Sequence, residues 1–381
     1  MDERIVVIES LVEDVHALAV AWGIRELGRR CEIIYTQNVP THASVAIDMR
    51  NSADPQLIYK APGVDLTLRK DDRVTYWARR VMAVASPMDL AEADRTYAKN
   101  ENKATLDAWR HLLSSFDGAE FVNGSLAKIT ANMKPVQLAI ASSVGFQLPP
   151  TLFSNDVKDI TKFVDDVGGQ VIFKSHTPLI WQERTEAGVR SHMAYSALVD
   201  RETILRSNSA HLCAGIYQAP IPKDYEVRIT MLGSSPFACK IHSQENAASR
   251  VDWRAQQRHL RYEEIDVPDR VVAQCIEFMS AMGQVFGCFD FIVTPQGEWI
   301  FLECNEQGQW LWQEHRCPSL RILDAFIHFL QDPSLNFRYV PDERTFTFRE
   351  YRKTRWQADD AIARRDNSPT AQHYIPFESA I

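Results

Sequence analysis

The sequence predicts a small α/β unit followed by a larger α+β body, and three observations carry that prediction. Residues 4–8, 14–27 and 31–35 read as strand, helix and strand. From residue 132 to about 330, short β-branched runs alternate with stretches of helical periodicity, and no internal repeat is visible. Late in that body two apolar runs flank a Pro-Gln-Gly turn at 295–297, the pattern of a hairpin.

The elements follow in order. The first helix carries Val15, Leu18, Ala19, Trp22 and Leu27 at helical spacing, and Gly28 stands where a helix-ending glycine belongs. The junction before it, residues 9–14, has no glycine and so is no dinucleotide fingerprint. Strands are expected at 44–47, 57–60 and 64–70, then a long polar helix over about 89–116 with Leu106, Trp109, Leu112 and Leu113 facing inward. Residues 121–124 read as a turn, which puts a domain boundary there and makes 1–123 the first unit. A helix over 132–144 ends at Gly145, and Pro149-Pro150 leads into a strand at 151–154. Asn155 or Asp156 caps the next helix, Gly168-Gly169 stops it, and 170–174 is a short buried strand. A polar, Gly-containing stretch at 185–190 precedes strands at 215–218, 226–232 and 237–242. A helix over about 269–286 leads to the hairpin, 288–294 and 298–304. Residues 332–381 are polar and weakly periodic, an extension with no clear order.

Composition narrows the function. The 381 residues are 45% hydrophobic and 24% charged, enough for two or three globular domains. A net charge of −8 without any Lys/Arg run argues against a nucleic-acid partner. Seven cysteines lie scattered with no C-x-x-C pair, as expected for buried free thiols in a reducing compartment. The N-terminus lacks the pattern of a signal peptide, and the longest apolar stretch, 275–293, is broken by Glu277, Gln284 and Asp290. The expectation is a cytoplasmic protein with no membrane contact.

The hairpin is the most informative segment. With Gln296 and Gly297 at its tip, Asp290 lies opposite Glu303, and Asn305 shares a strand face with Glu303. Two carboxylates on an apolar sheet are costly unless a cation or donors compensate, and Mg²⁺ held with nucleotide phosphates is the usual solution. The plain alternative is an ordinary hairpin with acids near its end. Lys174 closes the buried run Gln170-Val-Ile-Phe-Lys174 and can hold phosphates as a point charge; Lys134, at a helix start, is a second such cation. Either could instead be a surface lysine. The stretch after Lys174 suits a flap over phosphates. Arg228 would neutralise a transferring phosphoryl group, unless it merely pairs with Glu226 on the same strand face. No phosphate-binding loop, H-E-x-x-H or G-x-S-x-G motif occurs, and the eleven histidines, His242 and His259 among them, lack zinc spacing. Trp310 and Trp312 follow the hairpin closely enough to line a pocket.

On these residues the chain resembles the ATP-grasp superfamily. Asn132-Met-Lys134 with the helix and strand after it looks like that fold's first nucleotide lysine, Val171-Ile-Phe-Lys174 like its second, and Asp290 with Glu303-Cys-Asn305 like its Mg²⁺ ligands. Tyr217-Gln218, residues 222–228, residues 240–244 and Asp252-Trp-Arg254 make it most similar to the ligases that cyclise ribosomal peptides, the microviridin or graspetide group. The resemblance covers roughly residues 4–330. It implies an N-terminal pre-grasp α/β domain over 1–123 and two α+β subdomains, 124–214 and 215–331, clasping ATP. It also implies adenine held at the hinge by Tyr217, Gln218, Ala219 and Ile221. Ala219-Pro220 departs from the acidic residue often found at that hinge, and the tail after 330 is longer than such ligases need.

The implied activity is ADP-forming: an acyl phosphate is made from a carboxylate, then trapped by a hydroxyl or amine of a precursor peptide, with ATP and Mg²⁺ required and Arg228 and Lys174 catalytic. A homodimer is implied too. Two other functions fit the residues less closely: a ligase for free amino acids or another small-molecule carboxylate, and a nucleotide-binding scaffold without turnover.

Overall fold

The β-branched run at the N-terminus and the apolar helix after it share one core with apolar residues from 310–351. In a computed structural model the described residues are 4–81, 83–85, 90–124, 130–176, 180–185, 188–193 and 196–367. β1 (Ile5–Glu9), α1 (Val15–Glu26) and β2 (Cys31–Ile34) form the expected β-α-β opening. Asp14 caps α1 by accepting from the amides of His16 and Ala17. Residues 15–24 are all buried, so α1 is a core helix rather than a surface one. β3 (Ser44–Asp48), β4 (Gln56–Ala61) and β5 (Val64–Leu68) make a separate antiparallel sheet.

Two strands of the first unit escaped the sequence reading. β6 (Val74–Ala78) and, beyond α2 (Glu92–Leu113), β7 (Ala119–Val122) complete a parallel sheet of order β2-β1-β6-β7. The turn expected at 121–124 begins only at Asn123, whose φ is 58°. β7 is short and carries Glu120, which pairs with Arg4, so it shows no apolar alternation; its pairing with β6 is set by distant residues. The long helix starts at Glu92 rather than near residue 89, which lies outside the described residues.

The next part opens with α3 (Lys134–Ser143), β8 (Thr151–Ser154), α4 (Val157–Asp166, capped by Asp156) and β9 (Gln170–Lys174). β10 (Ile180–Thr185) and β11 (Gly188–Met193) pair as a hairpin over the stretch expected to be a polar flap; its turn, residues 186 and 187, lies outside the described residues. β12 (Ala197–Asp200), α5 (Arg201–Ser207) and β13 (Gly215–Gln218) follow, giving an antiparallel sheet of order β12-β9-β13-β8.

The largest sheet has the order β16-β15-β14-β17-β18, from β14 (Tyr225–Leu232), β15 (Ser235–Ile241), β16 (Tyr262–Glu264), β17 (Phe286–Val293) and β18 (Trp299–Asn305). Alternation splits its faces. Val227, Ile229, Met231, Phe289, Phe291 and Phe301 pack under α3 and α6 (Asp269–Ala281), whereas Glu226, Arg228 and Asp290 line a cavity on the other side. α6 ends earlier than the 286 expected, because an unbroken apolar run hides the boundary with β17.

After α7 (Leu311–Arg316) and α8 (Ile322–Phe329), the polar extension is not loose. α9 (Phe348–Thr354) and α10 (Trp356–Asp366) bring Phe346, Phe348 and Tyr351 into the same apolar cluster as Trp22 and Phe326. Buried Asp324 accepts from the Phe346 amide and the Tyr339 hydroxyl, and Glu314 from the amides of Phe348 and Leu323. α1 meets α8 so closely that a Cβ on Gly23 would lie 2.1 Å from Ile327 Cδ1. Residues 368–381 lie outside the described residues. No helix among those described is long and apolar enough to cross a membrane.

Candidate active site

Register builds the site. Arg228 on β14 lies directly opposite Asp290 on β17, which lies opposite Glu303 on β18, so three charged residues form a row across adjacent strands. A bulge at Leu302, between the Asp290–Glu303 and Phe291–Phe301 pairs, changes the phase of β18. Phe301 stays in the core while Glu303 and Asn305 line the cavity. The Asn305 amide lies 3.3 Å from an oxygen of each carboxylate.

Cations meet this row. Arg228 Nε is 3.1 Å from Asp290 Oδ1, and Lys134, at the start of α3, donates to Glu303. Lys174, at the end of β9, donates to Gln218 Oε1 at 2.7 Å, and Gln218 in turn donates to Thr151. Burial pulls the Lys174 ammonium down to about 8, against the pull of Glu303. Burial likewise pushes the Asp290 carboxyl up, only partly offset by Arg228. Burial works on Glu303 in the same direction, yet Lys134, Lys174 and Arg254 hold it down. Arg228 does not pair with Glu226; that carboxylate takes Lys223 at 2.7 Å.

The cavity between the two sheets has a volume of about 670 Å³, within the range of nucleotide-sized sites. Lys134, Lys174, Arg228, Asp290, Glu303 and Asn305 all line it, and so do Gln218, Ala219 and Ile221. Tyr217 does not: its side chain is buried in the small sheet against Phe173, ring centroids 5.5 Å apart. Trp312 lines the cavity, but Trp310 is fully buried beside Phe326.

Several lining residues escaped sequence reasoning as chemistry. Arg254, held by Asp252 at 2.6 Å, was legible only as part of a family-like segment. Arg80 comes from the first unit, just past the carboxyl end of β6, an edge where ligands often bind; the unrecognised strand hid it. Gln137 donates to the Cys304 carbonyl and accepts from its amide, fixing the backbone between Glu303 and Asn305.

The donor set is two carboxylates and one amide, all oxygen ligands, and no group of three His, Cys, Asp or Glu side chains comes together among the described residues. That set fits Mg²⁺, which takes one or two carboxylates and leaves its other positions to phosphates and water. It does not suit zinc.

No family model matches the chain, and no curated protein matches its sequence. Solved structures do. A RiPP-associated ATP-grasp ligase of Chryseobacterium gregarium, in complex with ADP and a leader and core peptide, superposes with a TM-score of 0.77 at 21% identity, covering 89% of this chain and 100% of that one. The macrocyclase MdnC of Microcystis aeruginosa, bound with precursor peptide MdnA, gives 0.73 at 23%, covering 86% and 99%. Macrocyclase MdnB of the same organism gives 0.67 at 25%, again covering 86% and 99%. With its two sheets, its cavity between them and its order of elements shared along nearly the full length of those proteins, the chain has the ATP-grasp fold.

Proposed function

We propose that the protein is an ATP-dependent carboxylate ligase that crosslinks side chains of a ribosomally made precursor peptide through ester or amide bonds. The row Arg228–Asp290–Glu303, facing Lys134 and Lys174 across one cavity, is the observation that carries it. The similar solved structures that hold ADP, leader and core peptide, or a precursor peptide support the substrate. In this proposal residues 124–214 and 215–331 clasp ATP, 1–123 precede them, and 332–381 are an extension of which residues 344–364 pack back onto the first unit.

Each group then has a task. Asp290, Glu303 and Asn305 would hold Mg²⁺, which draws charge from the phosphates when bound. Lys134 and Lys174 hold phosphate oxygens; Gln218, Ala219 and Ile221, with the backbone at Tyr217, receive the adenine. A substrate carboxylate oxygen attacks the γ-phosphorus, its bond to the bridging oxygen breaks, and ADP leaves. Arg228 offsets charge on the phosphoryl group in flight. A peptide hydroxyl or amine then attacks the acyl carbon, loses its proton, and phosphate departs. Holding both side chains in one site supplies the proximity such a step needs. Six of the seven free thiols are buried and Cys213 is exposed, a pattern that suits a reducing, cytoplasmic setting; the proposal includes a homodimer, which sedimentation equilibrium reads.

The test is mass spectrometry of a candidate precursor peptide incubated with the protein, ATP and Mg²⁺. A loss of about 18 Da per bond, absent with Glu303→Gln, is the expected result, since acyl transfer inside one peptide releases the elements of water. A gain equal to an added amino acid would replace the proposal with a ligase of free amino acids. No product and no ADP would replace it with a nucleotide-binding scaffold.

A further inference from the structure

The segment that follows Asn305 is held almost entirely by side chains of the first unit. Asn123, at the end of β7, donates from Nδ2 to the Glu306 carbonyl at 2.9 Å; it also spans to β17, donating to the Phe286 carbonyl and accepting from the amides of Val285 and Phe286. Arg79, just past β6, donates from Nη1 to the carbonyls of Gln307 and Gly308. Gln307 returns the tie, donating to the Ala78 carbonyl at 3.0 Å. His16, in α1, accepts at Nε2 from the amides of Trp310 and Leu311. On the opposite side the segment rests on β17, where a Cβ on Gly308 would lie 2.3 Å from Cys288 Cβ.

Arg79 is the unusual member. Its side chain is fully buried, and its charge is met by Asp14 Oδ2 at 3.1 Å from Nε. A buried arginine is costly to desolvate, and an apolar residue of like volume would usually fill such a place at no loss of stability. What an apolar residue cannot do is grip two successive carbonyls while anchored to a helix-capping carboxylate. Lysine cannot either, since it lacks the planar fork. Residues 306–309 line the cavity directly beyond Asn305, so this grip acts at the point where β18 ends.

We infer that Arg79 is a positioning residue of the nucleotide–metal site: through Gln307 and Gly308 it fixes the end of β18, and with it the Glu303–Asn305 pair. The inference rests on the reading of that pair as Mg²⁺ ligands. It assigns the first unit a part in catalysis that does not involve touching the nucleotide. Groups that orient metal ligands from behind are worth about 10- to 100-fold in affinity or rate.

The experiment uses the full chain carrying Arg79→Lys, with two readouts that need no turnover. Calorimetry compares Mg·ADP with ADP in excess chelator, and hydrogen exchange follows the amides of residues 306–311. The expected result is Mg·ADP binding weakened by about tenfold or more, metal-free ADP binding weakened by less than about twofold, and faster exchange across 306–311. Faster exchange with unchanged Mg·ADP affinity would overturn the inference, because Arg79 would then be a structural tie only. Should Arg79→Lys fail to fold, Gln307→Ala removes the reciprocal tie while leaving Arg79 paired with Asp14. It should weaken Mg·ADP in the same direction, and unchanged affinity there would equally overturn the inference. Failure of the wild-type protein to bind Mg·ADP is a different outcome: it sinks the metal-site reading, and this inference with it.

Discussion

The two sheets that enclose the cavity are built to different standards. The five-stranded sheet packs Phe289, Phe291 and Phe301 in edge and tilted contacts with one another and with Phe278 of α6, and its ionic row is set by strand register. The four-stranded sheet rests on a core of few buried side chains, Ile160, Val164, Val171, Ile204 and Tyr217, and contributes one cation, Lys174, at a strand end. The larger half fixes geometry; the smaller half brings charge to it. A site that must align a metal with phosphates, yet admit and release them, gains from that division of labour.

The first way to break the comparison is at the rigid row. Glu303→Gln keeps the shape and removes a ligand charge, so turnover should fall by on the order of 10²–10³-fold or more with the thermal midpoint little changed. Equal ADP production by the variant would remove Glu303 from the site. Next comes the core beneath it: Phe301→Ala should cost about 3–5 kcal/mol in urea unfolding, as expected for a fully buried aromatic. A loss no larger than Ile160→Val in the smaller half, about 0.5–1.5 kcal/mol, would erase the distinction drawn between the sheets.

A third test concerns the tie between the first unit and the larger half. His16 accepts two amides at Nε2, so it must be neutral there, and burial with Arg79 nearby lowers its pKa from 6.5 to about 4. Its folded-state pKa lies below the unfolded one. The stability it contributes is therefore full above pH 6.5 and is lost as pH falls toward 4, at most about 3 kcal/mol over that window. Unfolding measured across pH 4–7 should carry this slope, and His16→Gln should flatten it. The smallest effect belongs to the smaller half. Lys174→Ala should weaken ATP about tenfold, and wild-type affinity should decline as pH rises through about 8, where the free ammonium loses its proton. In Lys174→Arg that decline should vanish.

How much of this was legible in the sequence follows the range of the interactions. The β17–β18 hairpin could be read from its Pro-Gln-Gly turn, but not its register: beside the turn Val293 lies opposite Trp299, one residue off the alignment that puts Asp290 opposite Glu303, and only the bulge at Leu302 restores that pair. The partner of Arg228 could not. Glu226, two residues away, was the local candidate, whereas Asp290 reaches Arg228 only through a register fixed by the whole sheet. β6 pairs in parallel with strands far away in sequence, and with it Arg79 and Arg80 were hidden. The C-terminal helices were hidden for another reason: three aromatic anchors, Phe346, Phe348 and Tyr351, hold them, amid charged residues that blur the period. Tyr217 shows the limit of motif transfer, since the strand lies at the cavity's edge while its ring points into the small core.

The central claim is that Asp290, Glu303 and Asn305 are the metal ligands of a nucleotide site. It is tested most directly by a crystal structure with Mn²⁺ and a non-hydrolysable ATP analogue, located by anomalous scattering. The account predicts a cation about 2.0–2.3 Å from oxygens of those residues, bridging to the phosphates, with Lys134 moved from Glu303 onto phosphate. A cation bound elsewhere, with Arg228 still on Asp290 and Lys134 still on Glu303, would contradict it.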